Sequence, residues 1–274
     1  MGANSSHAKP SANLRRRLSL HFRDCISRFA SSILMFLVLF AGAPQASESG
    51  TIEIYESRGG YRLDAPPPEM HPIVLNIPEQ FLYGSSRVVP RRDWGANILT
   101  YYPSFTSPAA AENANFGLRC IGICNGRILI SLANRAHSIS SSSPNMGDFI
   151  ARAQFKWRKS PPYLPNVHVH DFDPVEGFDE AFERVTTAVG NPNVPTERTY
   201  LRKAADGIHY DLTAICDVNH VRTYCILHFS LICNPAIYVS VNGVDGSYLA
   251  QAADIKEKVD RFVSAMVRNP PCAL

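Results

Sequence analysis

Two neighbouring stretches, GIHYDLTAICD at residues 207–217 and VRTYCILHFSLIC at residues 221–233, determine the kind of fold that the chain adopts. Apolar side chains occur at every second position in both, which is the spacing of a strand with one buried face. A tight turn near residues 219–221 would join the two strands as a β-hairpin. In that hairpin Cys216 lies opposite Cys225, which predicts a disulfide, with two buried thiols as the alternative.

Further strands and two helices are predicted on both sides of this hairpin. The segments at 51–64, 73–76, 81–83, 97–102, 127–133, 199–201 and 236–241 have strand patterns, and the first of them resembles a short hairpin. Asp173, Pro174 and Glu176 form a helix-capping signature, which predicts a helix with apolar positions 178, 181, 182 and 185. An amphipathic helix is predicted from about Ser247 to Met266. We therefore expect an α+β fold of antiparallel sheets backed by a few helices.

A Ser-rich segment suggests where this fold divides. Residues 137–145 contain four consecutive serines followed by a proline, a composition typical of a loop or a hinge. We therefore expect a β-rich N-terminal lobe at residues 47–143 and an α+β C-terminal lobe at residues 144–274.

The positive charge of the chain lies in its first 46 residues. The sequence has 27 basic and 24 acidic residues, and six of the basic but only one of the acidic residues lie in this segment. An uncharged apolar run, residues 29–43, follows the arginines, as in a secretory signal peptide or an uncleaved signal anchor. The remaining chain is slightly acidic, which argues against a nucleic-acid partner. We expect contact with a membrane only through the leader, and only if the leader is not cleaved.

The cysteine content also indicates export. Six of the seven cysteines follow the leader, and an even number is typical of disulfide-bonded proteins in an oxidising compartment such as the periplasm. Beyond the Cys216–Cys225 pair, the pairing of the others is left open: Cys120, Cys124, Cys233 and Cys272.

The search for reactive groups finds one cluster, VHVHDFD at residues 167–173. On an extended strand His168 and His170 point to the same side, as two ligands of a transition metal such as zinc would. A polar strand edge is the simpler interpretation, since no third ligand can be assigned. None of the common phosphate-loop, nucleophile-elbow, zinc-protease or dinucleotide motifs occurs, so we assign no catalytic residue and no cofactor.

Three short motifs resemble a known group of proteins. They are IPEQFLY at 77–83, LTYYPSFT at 99–106 and YVSV at 238–241, the last followed by a closing amphipathic helix. In this order they resemble exported bacterial proteins of type VI secretion effector and immunity loci, in particular the immunity proteins of lipase effectors. The resemblance covers about a third of the chain. It implies a periplasmic protein that neutralises a toxin by binding it, with a cognate effector as partner and no catalytic residues.

Three functions therefore stand as hypotheses from the sequence. The first is a non-enzymatic periplasmic binding protein of the immunity kind. The second is a metal-binding protein or metal-dependent enzyme that uses His168 and His170. The third is a structural component of the cell envelope, held at the inner membrane by an uncleaved leader.

Overall fold

Strands, mostly in antiparallel pairs, are the main regular structure of the described chain. The computed structural model describes residues 49–56, 70–83, 91–108, 110, 126–159, 167–186, 195–218 and 223–269. In chain order its strands are β1 (Ser49–Ile54), β2 (Ile73–Pro78), β3 (Arg91–Asp93), β4 (Gly95–Tyr101), β5 (Arg127–Asn134), β6 (Val167–Asp171), β7 (Glu180–Thr186), β8 (Pro195–Lys203), β9 (Tyr210–Val218), β10 (Thr223–Ser230), β11 (Ile237–Asp245) and β12 (Val267–Asn269). Its helices are α1 (Met146–Lys159) and α2 (Ala252–Ser264), with short 3-10 helices at Glu79–Phe81, Ala136–Ser138 and Gly246–Gln251. The expected α+β fold is confirmed.

The predicted hairpin lies at the centre of a large antiparallel sheet. This sheet has the strand order β4-β5-β11-β10-β9-β8-β7-β6. Cys216 lies directly opposite Cys225 in the register of β9 and β10, and a disulfide joins them. The strand starts later than the alternation suggests, at Tyr210, because Ile208 lies in the preceding turn with 70% of its surface exposed.

A second sheet and helix α2 cover one face of the large sheet. The second sheet has the order β12-β2-β1-β3, and its apolar side chains share one hydrophobic core with α2 and the large sheet. Ile255, Val259 and Val263 of α2 are buried in this core, on the stripe that the sequence predicts. Burying each such side chain contributes about 1.5–3 kcal/mol, so the docking of α2 is a main source of stability.

Helix α1 packs on the opposite face of the large sheet. Its Asp148 is fully buried, and the carboxylate accepts hydrogen bonds from the Ser143 hydroxyl at 3.0 Å, Arg152 Nε at 2.5 Å and the backbone N–H of Tyr210 at 3.1 Å. A buried carboxylate is stable only when such partners compensate its lost hydration. These bonds therefore fix the start of α1 against β9.

The prediction of a helix after Asp173 is wrong. The chain turns at residues 176–177 and then forms β7, paired with β6 and β8. Ala181 and Phe182 are both buried because they face opposite sides of the sheet, Ala181 toward the main core and Phe182 toward α1. A strand buried on both sides thus produces apolar positions that also fit the helical period, and strand pairing overrides the local capping signature.

The described residues all belong to one compact unit, residues 48–274. Strands from both sides of the expected boundary at residues 143 and 144 occur in both sheets. Three parts of the sequence predictions lie outside the described residues: residues 57–64 of the first hairpin, the leader at 1–46, and Cys120, Cys124 and Cys272. Cys233 is described and is disulfide-bonded. Among the described residues, no helix combines the length and the apolar character needed to cross a membrane.

Candidate binding groove

A groove opens where the ends of β4, β5 and β11 meet the first turns of α2. Its volume is about 640 Å³. The large sheet supplies one wall, and the 3-10 helix Gly246–Gln251 with α2 supplies the other. The residues that line it and are discussed below are Tyr102, Gly126, Arg127, Gly243, Asp245, Ser247, Tyr248, Asp254 and Lys258.

Three of these side chains form a cluster at the α2 wall. The Tyr102 hydroxyl donates a hydrogen bond to the Asp254 carboxylate, and Lys258 Nζ lies 2.8 Å from the same carboxylate. The Lys258 ammonium also lies 5.3 Å from the centroid of the Tyr102 ring, within the range of a cation–π contact. The cluster therefore links the end of β4 to α2 across the groove.

The same contacts set the protonation of the cluster. Hydrogen bonds from Lys258 and Tyr102 lower the pKa of Asp254, and its hydrogen bond to Asp254 raises the pKa of Lys258. Burial, followed by the hydrogen bond to Asp254, raises the pKa of the Tyr102 phenol. At neutral pH the cluster is therefore an ion pair with a neutral phenol, and it contributes no net charge to the groove.

The charge that is available to a ligand comes from Arg127. Its guanidinium has no carboxylate partner among the residues that the structure describes. The other acid of the groove, Asp245, accepts hydrogen bonds from the Ser247 backbone N–H at 2.9 Å and from the Ser247 hydroxyl at 2.7 Å, which caps the 3-10 helix. Tyr248 follows with 45% of its surface exposed. Among the described residues, the groove thus contains an arginine without a carboxylate partner and an exposed aromatic ring.

Two glycines keep the floor of the groove open. Gly126 has a φ of +80°, and a Cβ there would lie 2.3 Å from the carbonyl oxygen of Tyr102. Gly243, with a φ of +94°, is the extra residue where the β10–β11 register shifts. Only glycine adopts such a backbone without strain, so the groove is built into the sheet at these two positions.

The two histidines predicted as metal ligands lie elsewhere, on β6 at the edge of the large sheet. Both are exposed, and their ring centroids are 6.5 Å apart. Within the described ranges, no group of three or more His, Cys, Asp or Glu side chains is arranged to hold a metal ion. The structure therefore brings the two imidazoles to one face but adds no third ligand from the described part of the same chain.

The groove was not predicted as a site from the sequence. Its residues come from three separate segments, 102–103, 126–128 and 243–258, which come together only in the folded chain. The motif at 99–106 includes Tyr102, yet its aromatic residues fit a buried strand equally well.

No protein-family model and no curated protein matches the sequence. A comparison with solved structures gives a similar chain. It is an immunity protein of the Stenotrophomonas maltophilia type IV secretion system. The two structures superimpose with a TM-score of 0.45 at 12% sequence identity, over 80% of this chain and 94% of the other.

Proposed function

We propose that this chain is a non-enzymatic binding protein, an immunity protein that neutralises a secreted toxin by direct binding in the groove. The observation that carries this proposal is the combination of Arg127, without a carboxylate partner among the described residues, and the exposed Tyr248 on rigid walls. Arg and Tyr are enriched among the residues that dominate the energy of protein–protein interfaces. The sequence resemblance to immunity proteins supports the same function independently.

The occupant of the groove is a segment of the toxin with an acidic side chain. Such a carboxylate pairs with Arg127, because the two acids of the groove are already engaged by Lys258 and Ser247. The Tyr248 ring packs on the apolar part of the segment.

Neutralisation takes place in the periplasm in this proposal. The basic and apolar leader at residues 1–46 supports export, and the Cys216–Cys225 disulfide suits an oxidising compartment. The resemblance to type VI loci suggests a type VI effector as the toxin.

The test is co-expression of the whole chain with the exported product of the adjacent gene, with survival and binding affinity as readouts. Arg127→Glu and Tyr248→Ala are expected to weaken binding at least about tenfold, which corresponds to about 1.4 kcal/mol. Tyr83→Ala is the matched control, because Tyr83 is 44% exposed and does not line the groove. Arg268→Glu controls for charge reversal at an exposed arginine outside the groove.

Two outcomes would count against the proposal in different ways. Full toxicity at saturating amounts of the chain would refute the immunity function. Protection that survives Arg127→Glu and Tyr248→Ala together would retain the function and refute the groove as its binding site.

A further inference from the structure

Among the residues that the structure describes, strand β6 is an open edge of the large sheet. It pairs with β7 on one side and ends the strand order on the other. The backbone N–H of Phe172 donates to the carbonyl of Ala181 at 3.3 Å, which continues the β6–β7 ladder by one residue. Because hydrogen-bonded residues alternate in an antiparallel pair, His168 and His170 also direct their backbone groups toward β7. Val167, Val169 and Asp171 therefore direct theirs outward, at the open edge.

This arrangement makes β6 complementary to a second copy of itself. An antiparallel pair centred on Val169 places Val169 opposite Val169 and Val167 opposite Asp171, each as a hydrogen-bonded pair. His168 of one copy then lies opposite His170 of the other as a non-hydrogen-bonded pair, in which the side chains approach most closely. The four imidazoles share one face of the joined sheet.

We infer that two copies of this chain pair through β6 and bind one zinc ion between the His168 and His170 side chains of both copies. One copy supplies two exposed imidazoles and, within the described residues, no third ligand, so the site is incomplete without the second copy. Four ligands satisfy the tetrahedral preference of zinc, and imidazole suits it chemically.

The geometry within one copy is close to what zinc requires. Zinc–nitrogen distances of about 2.0–2.1 Å place the centroids of two bound imidazoles about 5 Å apart. The rings of His168 and His170 are 6.5 Å apart and exposed, so rotation of their side chains closes the difference. Glu183 lies opposite His170 on β7, on the same face. Its Oε2 accepts a hydrogen bond from Arg198 Nε at 3.1 Å, so its other oxygen is the one that can orient a ligand imidazole.

Sedimentation velocity of the full chain in EDTA, in zinc chloride and in magnesium chloride tests the inference. We expect a monomer in EDTA and in magnesium, a dimer in zinc, and a calorimetric stoichiometry of one zinc per two chains. His168→Ala and His170→Ala are each expected to abolish the zinc-dependent dimer. His71→Ala is the matched control, because His71 is exposed and lies outside β6.

Val169→Pro separates strand pairing from metal binding. Proline is tolerated on edge strands where the N–H faces solvent, and it removes the central hydrogen bonds of the proposed pair while both histidines remain. Loss of the zinc dimer in a variant with the wild-type circular dichroism spectrum supports the inference. If this variant does not fold, the stoichiometry and the histidine variants decide. One zinc per chain on a monomer, or a zinc dimer that persists without His168 and His170, overturns the inference.

Discussion

The imidazole of His228 makes the stability of the protein sensitive to acid. It lies in β10, with Nδ1 2.6 Å from the hydroxyl oxygen of Tyr238 and the two rings stacked at 6.0 Å between centroids. Burial lowers the pKa of His228 from 6.5 to about 4. Unfolding returns the ring to water, so the unfolded chain takes up a proton first as the pH falls.

The direction and size of the effect follow from these two pKa values. Between about pH 6.5 and about pH 4 the unfolded state binds more protons than the folded state, so the stabilisation is complete above this window and is lost on acidification through it. The full loss is about 3 kcal/mol, because each pKa unit corresponds to about 1.4 kcal/mol. Of this, about 2 kcal/mol is lost between about pH 7 and about pH 5.

His228→Asn isolates this contribution, because asparagine keeps a polar atom near the position of Nδ1 and does not titrate. Urea denaturation at about pH 7 and about pH 5 should show that the variant loses about 2 kcal/mol less than the wild type on acidification. His71→Asn, at an exposed position, is the control and should behave like the wild type. Equal acid-induced losses in the wild type and in His228→Asn would refute the reasoning.

Three further outcomes are expected from denaturation experiments. Replacing Cys216 and Cys225 by alanine should cost about 2–3 kcal/mol, because the disulfide spans a sequence separation of only 9 residues; urea curves of the double variant measure it. Gly126→Ala should lower the free energy of unfolding by at least about 1 kcal/mol, because its Cβ would lie 2.3 Å from a backbone oxygen. Gly207→Ala, whose Cβ would have no atom within 4 Å, should lower it less in the same urea denaturation experiment. Burial opposes ionisation of Asp211, but hydrogen bonds and charges of a neighbouring arginine and lysine outweigh it and lower its pKa. Asp211→Asn should therefore cost about 2 kcal/mol at neutral pH. Acid titrations of stability should also show a smaller further loss below about pH 4 for this variant than for the wild type.

The centre of the large sheet could be predicted from the sequence because its signal is local. Alternation over β9 and β10 determines which face of each strand is buried, and the few residues between the two strands in sequence restrict the register to one that places Cys216 opposite Cys225. The apolar stripe of α2 is likewise contained in one segment. In such segments the spacing of the apolar residues in the sequence directly gives the face that is buried in the fold.

Other elements depend on partners that are distant in sequence. Helix α1 was not predicted, because it buries few apolar side chains and is fixed largely by hydrogen bonds such as that from the Tyr210 N–H to Asp148. The segment at 178–185 was assigned to a helix because burial on both sides of a strand resembles the helical period. The groove required the pairing of β5 with β11 and the docking of α2, which no single segment encodes.

The pairing of β12 with β2 affects how the protein is made. Val267 pairs with Leu75, and the backbone N–H of Asn76 donates to the carbonyl of Met266 at 2.8 Å. On the ribosome, β2 emerges long before β12, so its hydrogen-bonding edge and its buried side chains stay uncovered while most of the chain is synthesised. We therefore expect this sheet to form only after translation, with the nascent chain depending on a holding chaperone until its last strand arrives.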